Sequence, residues 1–170
     1  YNLDGSSNSR SAQLDFTFEP ADGWELKCAH KCNITETTYN IETDSGLDYI
    51  TKQAPFIPKH RFLVQAYYTT WQKKWDINIT LQNVGPSRVP GQGDIEEFWS
   101  DSFNHLDGQI TRRFKKFDWY IGVENALNYM QPNPIRGVEN PFSDNFDAGM
   151  IWGPVMGTKW FTGIRLNMNN

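Results

Sequence analysis

Cys28, His30 and Cys32, spaced two residues apart, have the side chains of a metal site. In an extended strand they share one face, with neighbours roughly 7 Å apart. Zinc bonds of about 2.0–2.3 Å cannot gather three ligands so spaced without a bulge. The expectation is therefore no metal, and a row along one face in which cysteine acts as a small hydrophobe. The Cα atoms of Cys28 and Cys32 would lie roughly 13 Å apart, beyond the ~7 Å reach of a disulfide. The acidic group Asp94, Glu96, Glu97 and Asp101 could hold a divalent cation through carboxylate oxygens, or be a solvated loop. His30, His60 and His105 are scattered, and no Ser-His-Asp elbow, Gly-rich phosphate loop or His-Glu-x-x-His helix accompanies them. Carboxylate hydrolysis needs a defined separation that sequence does not fix. The expectation is a protein that is not an enzyme and needs no cofactor. Asn33-Ile34-Thr35 and Asn78-Ile79-Thr80 match glycosylation sequons, but both fall inside predicted strands and read as chance matches.

The elements that position these residues are strands, because the hydropathy alternates with period two. In 11–19, Ala12, Leu14, Phe16 and Phe18 alternate with polar residues; in 24–35, Trp24, Leu26, Cys28, Cys32 and Ile34 do. In 60–69 one face is Phe62, Val64, Ala66 and Tyr68, with Leu63 the exception on the polar side. In 75–83 it is Trp75, Ile77, Ile79 and Leu81, and in 105–114 Leu106, Gly108 and Ile110. Segments 117–125 and 159–168 complete the set with Phe117, Trp119, Ile121 and Val123, and with Trp160, Thr162, Ile164, Leu166 and Met168. These about seven strands of nine or ten residues match the ~9–11 needed to cross a bilayer at a tilt and exceed the five or six usual in soluble sheets.

The connections alternate. Short ones are Pro20–Gly23, the residues around Gln72–Lys74, and Lys115–Lys116; long ones are 36–59, 84–104 and 126–158. Short turns at one end and long polar loops at the other are the pattern of an up-and-down membrane barrel. Phe18, Trp24, Tyr68, Trp71, Trp75, Phe114, Phe117 and Trp119 all flank the short turns. At one height they would form an aromatic girdle, with rings in hydrocarbon and polar edges among headgroups. Lys73, Lys74, Arg112, Lys115 and Lys116 lie at the same rim, where long basic stems can snorkel. The fold class expected is all-β: an antiparallel up-and-down transmembrane β-barrel segment.

Composition sets the outer bounds. With 170 residues, 38% apolar, 15% aromatic and 21% charged, the chain is not of a disordered kind. A net charge of −4 argues against nucleic acid as a partner. No run of 18 apolar residues suits a transmembrane helix. The chain starts at Tyr1 with a polar, loop-like stretch, and the expectation is a fragment of a longer protein.

The last third resembles the carboxy-terminal end of TonB-dependent outer-membrane receptors. Residues 114–129 resemble the penultimate strand, ending in a Gly-x-Glu-Asn-x-x-Asn-Tyr pattern at Gly122, Glu124, Asn125, Asn128 and Tyr129. Residues 146–168 resemble the final loop and strand, with Trp152-Gly153-Pro154 and Gly157 before a Gly-x-Arg ending. Upstream, IPKHRF at 57–62 and NVGPSRVP at 83–90 resemble an earlier strand start and the loop after the next strand. The ending Met168-Asn169-Asn170 lacks the aromatic residue common at that position.

The resemblance implies residues 1–170 as a single incomplete domain, roughly strands 16 to 22 of a 22-stranded barrel, with the plug domain absent. It implies a Gram-negative outer-membrane location, long loops extracellular, and short turns and carboxy terminus periplasmic. The implied partners are the remainder of the barrel and its plug, in the same or another chain, TonB through the plug, outer-membrane lipid, and further outer-membrane subunits. A neighbouring subunit could shield His30. The implied activity is import of a scarce nutrient, such as a metal chelate, a cobalamin-like cofactor, a glycan or a peptide, driven from the inner membrane. Arg61, Gln65, Gln82, His105, Asp107, Gln109, Arg113 and Arg165 would face the lumen. Arg61, Gln82 and His105, with loop residues Arg88, Trp99, Tyr129 and Trp152, are the candidate substrate contacts.

Two other readings fit parts of the pattern. A secreted β-sandwich carbohydrate-binding module also alternates apolar and polar residues. A passive porin or small closed barrel would need an eighth strand within 126–158, which holds Pro132, Pro134, Pro141 and Pro154.

Overall fold

The computed structural model describes residues 6–43, 46–91 and 96–167. Within these it is all-β and antiparallel, with no helix. The strands are β1 (Ser7–Phe18), β2 (Trp24–Thr43), β3 (Gly46–Gln53), β4 (His60–Thr69), β5 (Trp75–Val84), β6 (Arg88–Val89), β7 (Phe98–Trp99), β8 (Phe103–Arg113), β9 (Phe117–Glu124) and β10 (Lys159–Leu166). The seven predicted strands are present as β1, β2, β4, β5, β8, β9 and β10, hydrogen-bonded in that order as one meander. The sheet is open: β1 pairs with β2 and β10 with β9, and the two edges do not meet.

Two of the predicted long loops are more ordered than expected. Within 36–59, β2 runs on to Thr43 and β3 returns antiparallel along it, pairing Glu36 with Gln53 and Thr43 with Gly46. The run TETTYNIET is rich in β-branched residues, which suits a strand, but it lacks the clean apolar alternation that marks a one-sided one. Within 84–104, β6 and β7 pair Arg88 with Trp99 and Val89 with Phe98. The segment 126–158 contains no strand, only an isolated bridge between Arg136 and Asp147.

Register sorts the side chains onto two faces, because directly opposed residues in an antiparallel pair point the same way. One continuous row crosses all seven strands as Phe18, Leu26, Ala66, Ile79, Gly108, Val123 and Trp160. The adjacent polar row on the other face reads Thr17, Lys27, Gln65, Thr80 and Asp107. The apolar face has no second layer. Leu14, Phe16, Phe62, Val64, Ile79, Leu81, Ile110, Ile164 and Leu166 are all exposed, and Val89 is the one buried hydrophobic residue among those described. In a protein of this size bathed in water such a face would be covered by a second sheet or helices.

The short turns all lie at one end. The predicted aromatics gather there: Trp24 and Tyr68 are directly paired, with ring centroids 4.6 Å apart, and Phe114 and Phe117 stack at 4.6 Å.

Candidate functional site

The three long connections fold together at the opposite end, held by a few polar side chains that take the place of ladder hydrogen bonds. Arg88 is the first hub. It sits on β6 and is 5% exposed. Its guanidinium donates to Glu97 at 2.7 Å, to the Tyr39 hydroxyl at 3.3 Å and to the Gln53 carbonyl oxygen. Lys52 of β3 joins it on Glu97 at 2.9 Å. That Lys52 hydrogen bond holds the Glu97 carboxyl below its ordinary 4.5; Arg88 adds to the effect and partial burial opposes it. The Phe56 N–H donates to the Arg88 carbonyl, and the Ser100 N–H to that of Ser87. The loop carrying β6 and β7 is thereby fastened to the β2–β3 hairpin.

Asn125 is the second hub. It follows β9 with a left-handed φ of 51° and is 2% exposed. Asparagine tolerates this conformation better than most residues. Its side-chain amide donates to the Tyr129 and Met156 carbonyls and accepts from the Tyr129 N–H. Its own N–H donates to Asp107, which also meets His105 at 2.9 Å. Gln131 works alike: it accepts the Trp152 and Gly153 N–H groups and donates to the Met150 carbonyl. Arg136 ties the two loops together, donating to the Pro90 carbonyl at 3.3 Å with its guanidinium 5.1 Å from the Phe98 ring.

Between these hubs lies an aromatic cluster. Phe103, at the polar-face start of β8, stacks on Tyr129 at 5.0 Å and nearly parallel, and the Trp152 centroid lies 6.2 Å from that of Phe103. Gly153 would bring a Cβ within 3.5 Å of Phe103, so its backbone lies close against the cluster. The Tyr129 hydroxyl is buried with no hydrogen-bond partner. Burial, followed by the negative charge of Asp101, raises its pKa above 10.0.

The candidate contacts thus fall into three groups. Tyr129 and Trp152 come together with Phe103. His105 faces Gln82 across the sheet and pairs with Asp107, beside Asn125. Arg88 is enclosed in its own ion-pair network, while Trp99 stands exposed with the Lys59 ammonium 5.5 Å from its ring. Arg61 is exposed on the polar face, opposite Lys31 and Val84. Sequence reasoning passed over Gln131, Arg136, Phe103 and Tyr39. Nothing in their spacing marks them, because each acts through a loop closure rather than a strand period.

Of the acidic group, Asp94 lies outside the described residues, Glu97 is committed to Lys52 and Arg88, and Glu96 and Asp101 are exposed. Cys28, His30 and Cys32 do share the apolar face, and both cysteines are free. The fold adds His60, 3.2 Å from His30 and 3.5 Å from Cys32. Among the described residues no set of three or more His, Cys, Asp or Glu is arranged to hold a metal ion. The polar face also carries a hollow of about 510 Å³ lined by Asp76, Asn78, Gln109, Arg113, Asp118 and Arg165, with Arg113 and Asp76 in contact at 2.5 Å. No protein-family model, curated protein or solved structure matches this chain.

Proposed function

We propose that this chain is the carboxy-terminal part of the barrel of a TonB-dependent outer-membrane receptor, which captures and imports a scarce nutrient. The observation that carries the reading is the apolar row running uncovered across all seven strands, backed by a polar row on the reverse. Acyl chains solvate such a face; a hydrated or plugged interior suits the other. The sequence resemblance in 57–62, 83–90, 114–129 and 146–168 supplies the receptor part of the reading.

Strand parity adds support. Seven antiparallel strands leave β1 and β10 running the same way, so they could meet only as a parallel pair. An all-antiparallel closure needs an odd number of further strands. A 22-stranded barrel would leave 15. The open edges also require partners, since lipid leaves no backbone group unsatisfied. In this reading the long-connection end is extracellular. Phe103, Tyr129, Trp152, Trp99, Arg61, Gln82 and His105 stand near the mouth, while the polar hollow faces the plug.

The test uses the whole receptor in cells, with Cys28 and Cys32 first changed to serine. A cysteine placed at Glu96 should react with an impermeant maleimide added outside, and one placed at Lys115 should not. Uptake of the nutrient should cease when TonB is removed. A protein that fractionates as soluble, or labels equally at both positions, overturns the reading.

A further inference from the structure

We infer that the short-turn rim of the apolar face is a docking surface for net-anionic phospholipid headgroups. The inference rests on the membrane reading above and deepens it. The β4–β5 turn carries Lys73 and Lys74, and the β8–β9 turn carries Lys115 and Lys116. Because β5 and β8 are hydrogen-bonded neighbours, the two lysine pairs lie side by side; the Arg113 N–H donates to the Lys74 carbonyl at 2.8 Å. All four lysines are exposed, and none forms an ion pair with a described residue.

Arg112 makes a fifth cation. It opposes Trp75 and Trp119 on the apolar face, with its guanidinium 4.6 Å from the Trp75 ring and 5.5 Å from that of Phe114. Its neighbour Arg113 points to the polar side and is neutralised by Asp76. Of the acids at this end, Asp118 and Glu25 are on the polar face, while Glu19 and Asp22 lie in the adjoining β1–β2 turn, where Asp22 lines a hollow with Lys73 without an ion pair to any of the four lysines. Trp71, 88% exposed, projects from the β4–β5 turn. The other end of the apolar face finishes in Arg10, Glu36, His60, Asn83 and Asn104, a mixed set without a basic cluster.

Charge complementarity therefore selects the occupant. The apolar rows below the rim take acyl chains, and lysine stems lift their ammonium groups to the headgroup layer. A zwitterionic headgroup offers these five cations no net charge, whereas an anionic one does. Nucleic acid would satisfy the lysines but leave the adjoining apolar face uncovered.

The test reconstitutes the protein, with its native strand partners, in phosphatidylcholine vesicles containing a minor fraction of phosphatidylglycerol. Either lipid is brominated in turn, and tryptophan quenching gives the relative association of the two headgroups. Anionic lipid should be enriched around the protein at least about fivefold. The variant Lys73→Gln/Lys74→Gln/Lys115→Gln/Lys116→Gln should bring that ratio close to one while quenching by brominated phosphatidylcholine persists, which shows that the variant is folded and inserted. Equal association of both lipids, or an enrichment unchanged in the variant, overturns the inference and leaves the membrane reading standing. Failure of both brominated lipids to quench the wild type overturns the membrane reading and the inference together.

Discussion

Asn125 concentrates more of the outer architecture than any catalytic-looking residue does. A left-handed backbone, burial and three side-chain hydrogen bonds meet at one position, so alanine there strands the Tyr129 and Met156 carbonyls and the Tyr129 N–H. Asn125→Ala should destabilise the 126–158 connection by about 2–4 kcal/mol. Limited proteolysis should then cut that connection first and leave the sheet intact. Tyr129 is the opposite case. Its hydroxyl is buried without a partner, so Tyr129→Phe should leave the unfolding midpoint unchanged or raised, by less than about 1 kcal/mol. Glu97 makes the Arg88 network pH-dependent. Its folded pKa lies below 4.5, so the ionised form is bound more tightly in the folded state. That contribution is full above 4.5 and is lost as pH falls through the lower folded value. Exchange protection at the Phe56 and Ser100 amides, corrected for intrinsic rate, should hold above pH 4.5, fall as the pH drops below it in the wild type, and stay flat in Glu97→Gln.

At the scale of the element, turns and glycines fix how closely strands approach. Gly23 closes the β1–β2 turn with a φ of 82°, and its carbonyl accepts the Thr69 N–H at 2.7 Å. A Cβ at this position would collide with the Thr69 carbonyl oxygen. Gly23→Ala should therefore lower stability by about 1–3 kcal/mol, read from the unfolding midpoint in detergent, whereas alanine at the neighbouring exposed Asp22 should not. On β9 and β10, glycines make room for rings directly across the ladder. Gly122 faces Phe161 and Gly163 faces Tyr120, and the ring in each pair occupies the space a Cβ would fill. The last hairpin is thus packed on its polar face by aromatics lying over backbone, which braces a strand whose other edge is open. β3 has a different role: paired to the upper half of β2 in line with β4, it carries the sheet beyond the band where one face is apolar.

At the scale of the whole molecule, the main sheet of the described residues is one curtain with an apolar side and a polar side, β6 and β7 forming a small separate pair, and the two sides make opposite demands on a charge. Ile79 and Thr80 are neighbours near the middle of β5, on the apolar and polar faces respectively. With acyl chains as solvent, Ile79→Lys should lower folding stability in phospholipid by about 2–4 kcal/mol, while Thr80→Lys on the hydrated side should be tolerated. Equal effects of the two substitutions, measured as folding midpoints in the same vesicles, would rule out lipid as the solvent of that face. The asymmetry between the two ends, basic and aromatic at the short turns, polar and knitted by amides at the long connections, gives the curtain a direction as well as two sides.

What the sequence determined by itself was the sheet: seven strands, their antiparallel order, their turn lengths and the face to which each alternating residue belongs. These follow from period two and local turn chemistry, which operate over a few residues and are written in consecutive letters. Boundaries were less legible. The upper half of β2 and all of β3 hid in 36–59 because a two-sided polar strand carries no hydropathic contrast. The outer cluster was decided only by tertiary structure. Phe103 meets Tyr129 and Trp152, Lys52 meets Glu97 and Tyr39 meets Arg88 across gaps of tens of residues. Such contacts depend on where a loop closes, and loop closure is set by the register of the strands beneath it together with a few buried amides, not by any spacing along the chain.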